Sequence, residues 1–141
     1  MEINTLKPHF KLDSRLEKDT FSVVGLALCD VRLMNDSRWP WLILVPRIDG
    51  AEEIHHLVFD DQQALLAEIN EVAVALEAIT GCYKVNVAAL GNVVRQLHVH
   101  IIARNEGDAN WPQPVWGFGE KIPYTDDQAH KIIHSLQLRL D

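Results

Sequence analysis

Apolar and polar positions along the chain mark out several strands, one long helix, two further strands and a tail helix. Residues 1–20 read as a loop and a short helical turn, with Asp13 placed to cap the turn. Residues 20–29 are strand-like, and Gly25 marks a bend or bulge within them. Residues 30–34 form a second strand, ended by the turn residues Asn35-Asp36-Ser37-Arg38. Residues 41–45 are continuously apolar and stop at Pro46, so an antiparallel hairpin is the simplest connection.

The clearest helix starts at a cap on Asp60 or Asp61. It carries Leu65, Leu66, Ile69, Val72, Ala73, Leu76 and Ile79 at helical spacing, and Gly81 ends it. Residues 83–90 follow as a strand, then Gly91-Asn92 as a turn. From Gln96 to Ile101 the chain alternates strictly, so Leu97, Val99 and Ile101 share one face of a strand and Gln96, His98 and His100 the other. Beyond Arg104, residues 105–119 are too rich in Gly, Pro and aromatics for a regular central element. Thr125 and Gln128 make a capping box for a tail helix bearing Ile132, Ile133, Leu136 and Leu140. Strands interrupted by a single long helix favour an α+β fold on an antiparallel sheet over a βαβ array.

Composition narrows the reading. The 141 residues suit one domain spanning 1–141. With 48% hydrophobic and 23% charged residues, the chain is not a disordered one. A net charge of −7 argues against sequence-independent nucleic-acid binding, which needs a basic footprint, but leaves room for a local pocket for a small anion. No apolar run is long enough to span a bilayer, and Met1–Thr5 lacks the features of a secretory signal, so a cytoplasmic protein is expected. Cys29 and Cys82 lack Cys-x-x-Cys spacing and read as free thiols of a reducing compartment.

The row Gln96, His98, His100 admits three readings. It is the solvated face of a half-buried strand; or two imidazoles chelating a metal, with His55, His56 or Asp49 as further ligands; or a nucleophilic site. A neutral imidazole attacks phosphorus well near pH 7, one nitrogen attacking while the other is held by a hydrogen bond.

The surrounding residues add a resemblance. Residues 86–102, Asn-Val-Ala-Ala-Leu-Gly-Asn-Val-Val-Arg-Gln-Leu-His-Val-His-Ile-Ile, resemble the core of the histidine-triad (HIT) superfamily, whose motif is His-x-His-x-His with apolar x. Leu33-Met34-Asn35-Asp36 and the stretch 42–47, Leu-Ile-Leu-Val-Pro-Arg, resemble two upstream family segments, and Trp111-Pro112 a later one. The likeness covers roughly residues 10–116.

It implies a HIT-like sheet of about five antiparallel strands with one long helix and a C-terminal helix. It also implies a nucleotide hydrolase or nucleotidyltransferase acting at an α-phosphate, resembling the diadenosine polyphosphate hydrolases, with nucleoside phosphoramidates as the other substrate class. In that mapping His98 is the nucleophile that forms a nucleotidyl-histidine, and His100 contacts the phosphate and assists the leaving group. Gln96 stands at the first triad position. Asn86 lies near the scissile phosphate, Gly91 and Asn92 along the phosphates, and Asn35 or Asp36 at the ribose. The resemblance implies no cofactor and no metal for the chemistry, a small-molecule nucleotide as partner, and a homodimer.

The chain departs from the pattern at Gln96, whose amide is neither acid nor base but can donate and accept hydrogen bonds. Val93 stands where a family Ser or Thr is common, and Asp49 near the place of a family His. A module that binds nucleotide with little turnover is the alternative function. Trp39 and Trp41 are read as a base wall, a dimer surface or a hairpin cluster, and Trp111 and Trp116 as a closing flap or loop packing. Arg104 is read as a phosphate aid or a strand-end charge, and His130 with His134 as a solvated helix face.

Overall fold

The computed structural model describes residues 10–140, so the reading of Met1–Thr5 lies outside the described residues. Asp13 caps helix α1 (Ser14–Asp19), its carboxylate accepting from the Arg15 N–H. The strands are β1 (Thr20–Gly25), β2 (Cys29–Met34), β3 (Trp41–Pro46), β4 (Lys84–Ala88) and β5 (Val99–Arg104). They form one five-stranded sheet in the order β1-β2-β3-β5-β4, every neighbouring pair antiparallel. Helix α2 (Phe59–Thr80) joins β3 to β4 after a 3-10 turn at Ile54–His56, and α3 (Asp126–Gln137) closes the chain. The α+β class expected from the order of patterns is the observed one.

The sheet has two covered faces. Val31, Leu33, Leu42, Leu44, Val99 and Ile101 pack with Leu65, Val72, Leu76 and Leu136 from the two long helices. On the opposite face Trp41, Ile43, Val45 and Ile102 pack with Leu16, Trp39 and Val115. This explains the unbroken apolar run of β3, a central strand buried on both sides. It also removes the solvated-face reading of β5: all six of its residues are buried, because α1 and the loop after Arg104 lie over the side the alternation left polar.

Local corrections follow from turn and capping geometry. The first apolar stretch is not one strand to residue 29. It ends at Gly25, turns through residues 26–28 under a Leu26 N–H to Cys29 carbonyl bond of 2.8 Å, and returns as β2. The register shift in β1 lies between Ser22 and Val24 rather than at Gly25. Val58, not an aspartate, is the N-cap of α2; Asp60 and Asp61 sit in its first turn, where they favour the helix dipole. Gly81 does end α2, in the left-handed conformation at φ 62°.

The buried stripe of α2 carries a carboxylate. Glu68 accepts from the N–H groups of Leu28 and Cys29 at 2.8 and 2.9 Å and so ties α2 to the β1–β2 turn. Leu66, counted in the stripe, is instead exposed. Both cysteines are free, and burial, followed by the neighbouring Glu68 carboxylate, pushes the Cys29 thiol up. The Thr125–Gln128 capping box of α3 forms as the sequence implies.

Candidate active site

Three residues before β5 the chain is still in a turn, and this sets the position of His98. Its Nδ1 donates to the Gln96 carbonyl at 2.7 Å, which leaves the Nε2 lone pair free. The ring lies against Gly91: a Cβ built there would sit 3.4 Å from His98 Cε1 and 2.6 Å from the Val94 carbonyl oxygen. A cavity of about 390 Å3 opens in front, lined among others by Glu52, Glu53, Gly91, Asn92, Arg95 and His98. Among the described residues, the backbone N–H groups of Asn92, Val93, Val94 and Arg95 make no backbone hydrogen bond. Unclaimed donors in a turn beside a nucleophile suit an anion's oxygens. Gly91→Ala is expected to displace the turn or the ring, costing about 1–3 kcal/mol by overpacking and weakening nucleotide affinity. Denaturant titration and ligand titration of the variant check this.

His100 stands behind His98, ring centroids 4.8 Å apart. The Trp41 indole N–H donates to its Nδ1 at 3.0 Å, so Nε2 carries the proton and donates to the Leu90 carbonyl at 3.0 Å. Trp116 covers the ring edge-on at 5.0 Å. Both nitrogens of His100 are thus occupied, and it does not line the His98 cavity.

Burial, outweighing the Leu90 hydrogen bond, holds the His100 pKa down at about 4. Burial also lowers His98, against the raising effects of the Gln96 carbonyl and Asp13. Both rings are therefore neutral at pH 7, as a nucleophile requires.

The depressed His100 value has a consequence for stability. An unfolded imidazole takes its proton near pH 6.5, whereas the folded one resists until about pH 4. Between those limits the unfolded chain binds more protons, so stability present above pH 6.5 is lost as the pH falls, by about 3 kcal/mol for this group. Urea midpoints between pH 7 and 4.5 are expected to fall more steeply for the natural protein than for His100→Asn.

The remaining sequence candidates are dispersed. Gln96 lines the cavity, but its amide is engaged elsewhere: Nε2 donates to the Lys11 carbonyl at 2.9 Å and Oε1 accepts from the Asp13 N–H at 2.8 Å. It pins the segment before α1 to the turn before β5. Asn86 sits on β4 opposite Ile102, with Arg104 Nη1 3.5 Å from its oxygen, away from the cavity. Asn35 accepts from the Tyr124 N–H at 2.9 Å. Asp36 is buried in an ion pair with Arg38 at 2.8 Å.

A separate hollow of about 220 Å3 is lined by Met34, Asp36, Arg38, Trp41 and Trp116, among others. Burial raises Asp36, but the Arg38 hydrogen bonds outweigh it and the carboxyl stays below the usual carboxylate range. Gly91 and Asn92 are the two carried-over binding residues that lie with His98.

Sequence reasoning missed as cavity residues Glu52 and Glu53, which are remote in the chain and fit no motif, and Arg95, which lies inside the stretch 86–102 but was given no role there. It also missed Trp41 as the group that fixes the His100 tautomer; the signal was an aromatic with a donor on the strand that pairs with β5. No group of three or more His, Cys, Asp or Glu side chains able to hold a metal occurs among the described residues, so the ligands considered for His98 and His100 do not gather. Nor is any described helix long and apolar enough to cross a membrane.

An antiparallel five-stranded sheet with two packed histidines entering its fourth position, beside a glycine turn, defines the class as an α+β fold of the HIT type. A HIT domain model matches residues 15–107, and the chain belongs to that family of nucleotide-binding hydrolases and transferases. Three solved histidine triad proteins are similar along nearly their whole lengths. The one from Sinorhizobium meliloti is 50% identical, with a TM-score of 0.91 over 93% of this chain and 97% of that chain. The one from Bradyrhizobium japonicum is 45% identical, TM-score 0.93, over 95% and 100%. The one from Marinobacter aquaeolei is 47% identical, TM-score 0.90, over 93% and 96%. No curated protein matches the chain.

Proposed function

We propose that the protein is a hydrolase or nucleotidyltransferase acting at the α-phosphate of a dinucleoside polyphosphate or a nucleoside phosphoramidate, with His98 as nucleophile. The observation that carries this is the Nδ1–H of His98 held by the Gln96 carbonyl at 2.7 Å while the ring borders the cavity. Nε2 attacks phosphorus, an N–P bond forms, and the bond to the leaving group breaks with its electron pair going to the departing atom. The positive charge developing on the imidazole is stabilised through Nδ1–H by the carbonyl. Water then attacks the phosphorus, its oxygen replacing the histidine nitrogen. The turn N–H groups of Asn92 and Arg95, which border the cavity and make no backbone hydrogen bond among the described residues, supply donors to the non-bridging oxygens. In this arrangement the Gln96 side chain has no proton-transfer task. The backbone carbonyl of residue 96 orients the nucleophile, so attack by His98 does not call on the side chain at that position.

The second reading is a nucleotide-binding module with little turnover. What favours it is His100: with both nitrogens bonded within the fold, it offers no free group to a leaving atom. One experiment separates the two. The protein is incubated with α-phosphate-labelled substrates, quenched in alkali and examined for an acid-labile adduct. An adduct at His98 and release of product support the enzyme. Tight nucleotide binding with neither supports the module.

A further inference from the structure

The orientation of His98 rests on one peptide plane, that between residues 96 and 97. Its carbonyl accepts from His98 Nδ1 at 2.7 Å, and its N–H, on Leu97, donates to the Ala51 carbonyl at 2.9 Å. A plane held through one N–H can still rock about that bond. The Gln96 side chain supplies a second point of support. Its Oε1 accepts from the Asp13 N–H at 2.8 Å, and its Nε2 donates to the Lys11 carbonyl at 2.9 Å. Because a backbone N–H only donates and a carbonyl only accepts, these partners fix which end of the amide is which.

The segment that the amide grips is itself anchored. Phe10 and Leu12 pack against the second-face core, and Leu16 of α1 is buried in it. Asp13 caps α1, which fixes the direction in which the chain leaves residue 13. Arg15 Nη1 donates to the Val93 carbonyl at 3.3 Å, a further tie from the same segment to the turn before β5. The turn that presents His98 is thereby fastened to the core through residues 11–15.

We propose that Gln96 is a positioning residue for the nucleophile, its amide clasp on residues 11 and 13 holding the 96–97 peptide at the angle that keeps His98 protonated on Nδ1 and open at Nε2. The side chain takes no part in the attack; it acts through its own carbonyl. The effect on rate rests on the nucleotidyl-histidine reading, whereas the effect on the ring does not.

The residue type follows from the shape of its polar end. A primary amide presents one acceptor and one donor side by side and pointing the same way. That is what the Asp13 N–H and the Lys11 carbonyl, two residues apart, require. The two nitrogens of an imidazole point away from each other and cannot meet both groups. A carboxylate at neutral pH has acceptors and no donor, so it leaves the Lys11 carbonyl without its partner. Histidine, the residue of the family motif at this position, is therefore expected to serve this chain worse than glutamine.

The test compares the natural protein with Gln96→Met, which keeps the length and bulk of the side chain without its hydrogen bonds, and with Gln96→His. The first readout needs no substrate: nitrogen NMR of histidine-labelled protein near neutral pH gives the tautomer of each ring. His98 is expected to be Nδ1-protonated in the natural protein and to become a mixture with the Nε2-protonated form in both variants. His100, fixed by Trp41, is expected to stay as it is. The second readout is single-turnover formation of the α-labelled adduct, expected to slow about tenfold in both variants while nucleotide affinity changes by less than about twofold. A purely structural clasp would lower the urea midpoint and leave the His98 tautomer of the folded protein unchanged, and that result overturns the proposal. So does an Nε2-protonated His98 in the natural protein, or a Gln96→His protein that forms the adduct at least as fast. If the natural protein forms no adduct, the nucleotidyl-histidine reading falls and the tautomers alone decide the clasp.

Discussion

Alanine at position 98 is expected to lower turnover by about 10⁴-fold or more and to abolish the labelled adduct, because the nucleophile has no substitute within the site. His98 is the residue of the cavity whose ring presents an unshared nitrogen, and His100 behind it is bonded at both of its own. His100→Ala is expected to act differently. It leaves the Trp41 N–H and the Leu90 carbonyl without partners, so stability falls along with activity. Single-turnover labelling, read beside far-ultraviolet circular dichroism, distinguishes a folded His98→Ala protein that cannot form the adduct from a destabilised His100→Ala protein that forms it slowly.

The second large effect is on stability. Arg104→Leu is expected to cost about 3–5 kcal/mol, the range for breaking a buried ion pair from one side. Arg104 is 1% exposed at the end of β5. It holds Asp108 through two bonds of 2.7 and 2.8 Å and donates to the carbonyls of Gln113 and Ala109. Its guanidinium lies over the rings of Trp39 and Trp111. Although burial raises Asp108, the Arg104 bonds outweigh it and keep that carboxyl below the usual range, so removing the arginine strands a charge. Arg104→Lys is expected to rescue little, since an ammonium cannot make the planar two-bond contact.

The same arginine anchors the loop that carries Val115 and Trp116 onto the face holding His100. Arg104→Leu is therefore also expected to expose Trp116, seen as a red shift of tryptophan emission. Urea denaturation measures the stability loss.

The reading of Arg104 as a phosphate aid or a strand-end charge thus missed its place. At sequence level an arginine that ends a strand looks solvated, and only the return of residues 108–113 across it makes it a buried hub. Gln96 shows the same limit. Its position in the motif suggested a share in the chemistry, yet its side chain is committed to Lys11 and Asp13, 85 and 83 residues away in sequence. Asn35 and Asp36, next to one another in the chain, are taken up by residues 122–124 and Arg38. Arg38 is a local turn partner of Asp36, whereas the other partners come from segments far along the chain, where no pattern announces a contact.

What the sequence determined by itself was set by short-range physics. Alternation specified which side of β5 meets the helices, a glycine in the left-handed conformation ended α2, and the capping box began α3. The motif around His98 and the glycine turn was legible because both lie within eight residues of one another, where chain geometry alone keeps them close. Tertiary structure decided the rest. It covered the second face of the sheet, so that the His100 ring is neutral and locked rather than solvated. It brought Glu52 and Glu53 to the His98 cavity, and it placed Gln96 as a clasp. These depend on long-range packing, which removes water from some polar groups and supplies partners to others, and no local pattern records which.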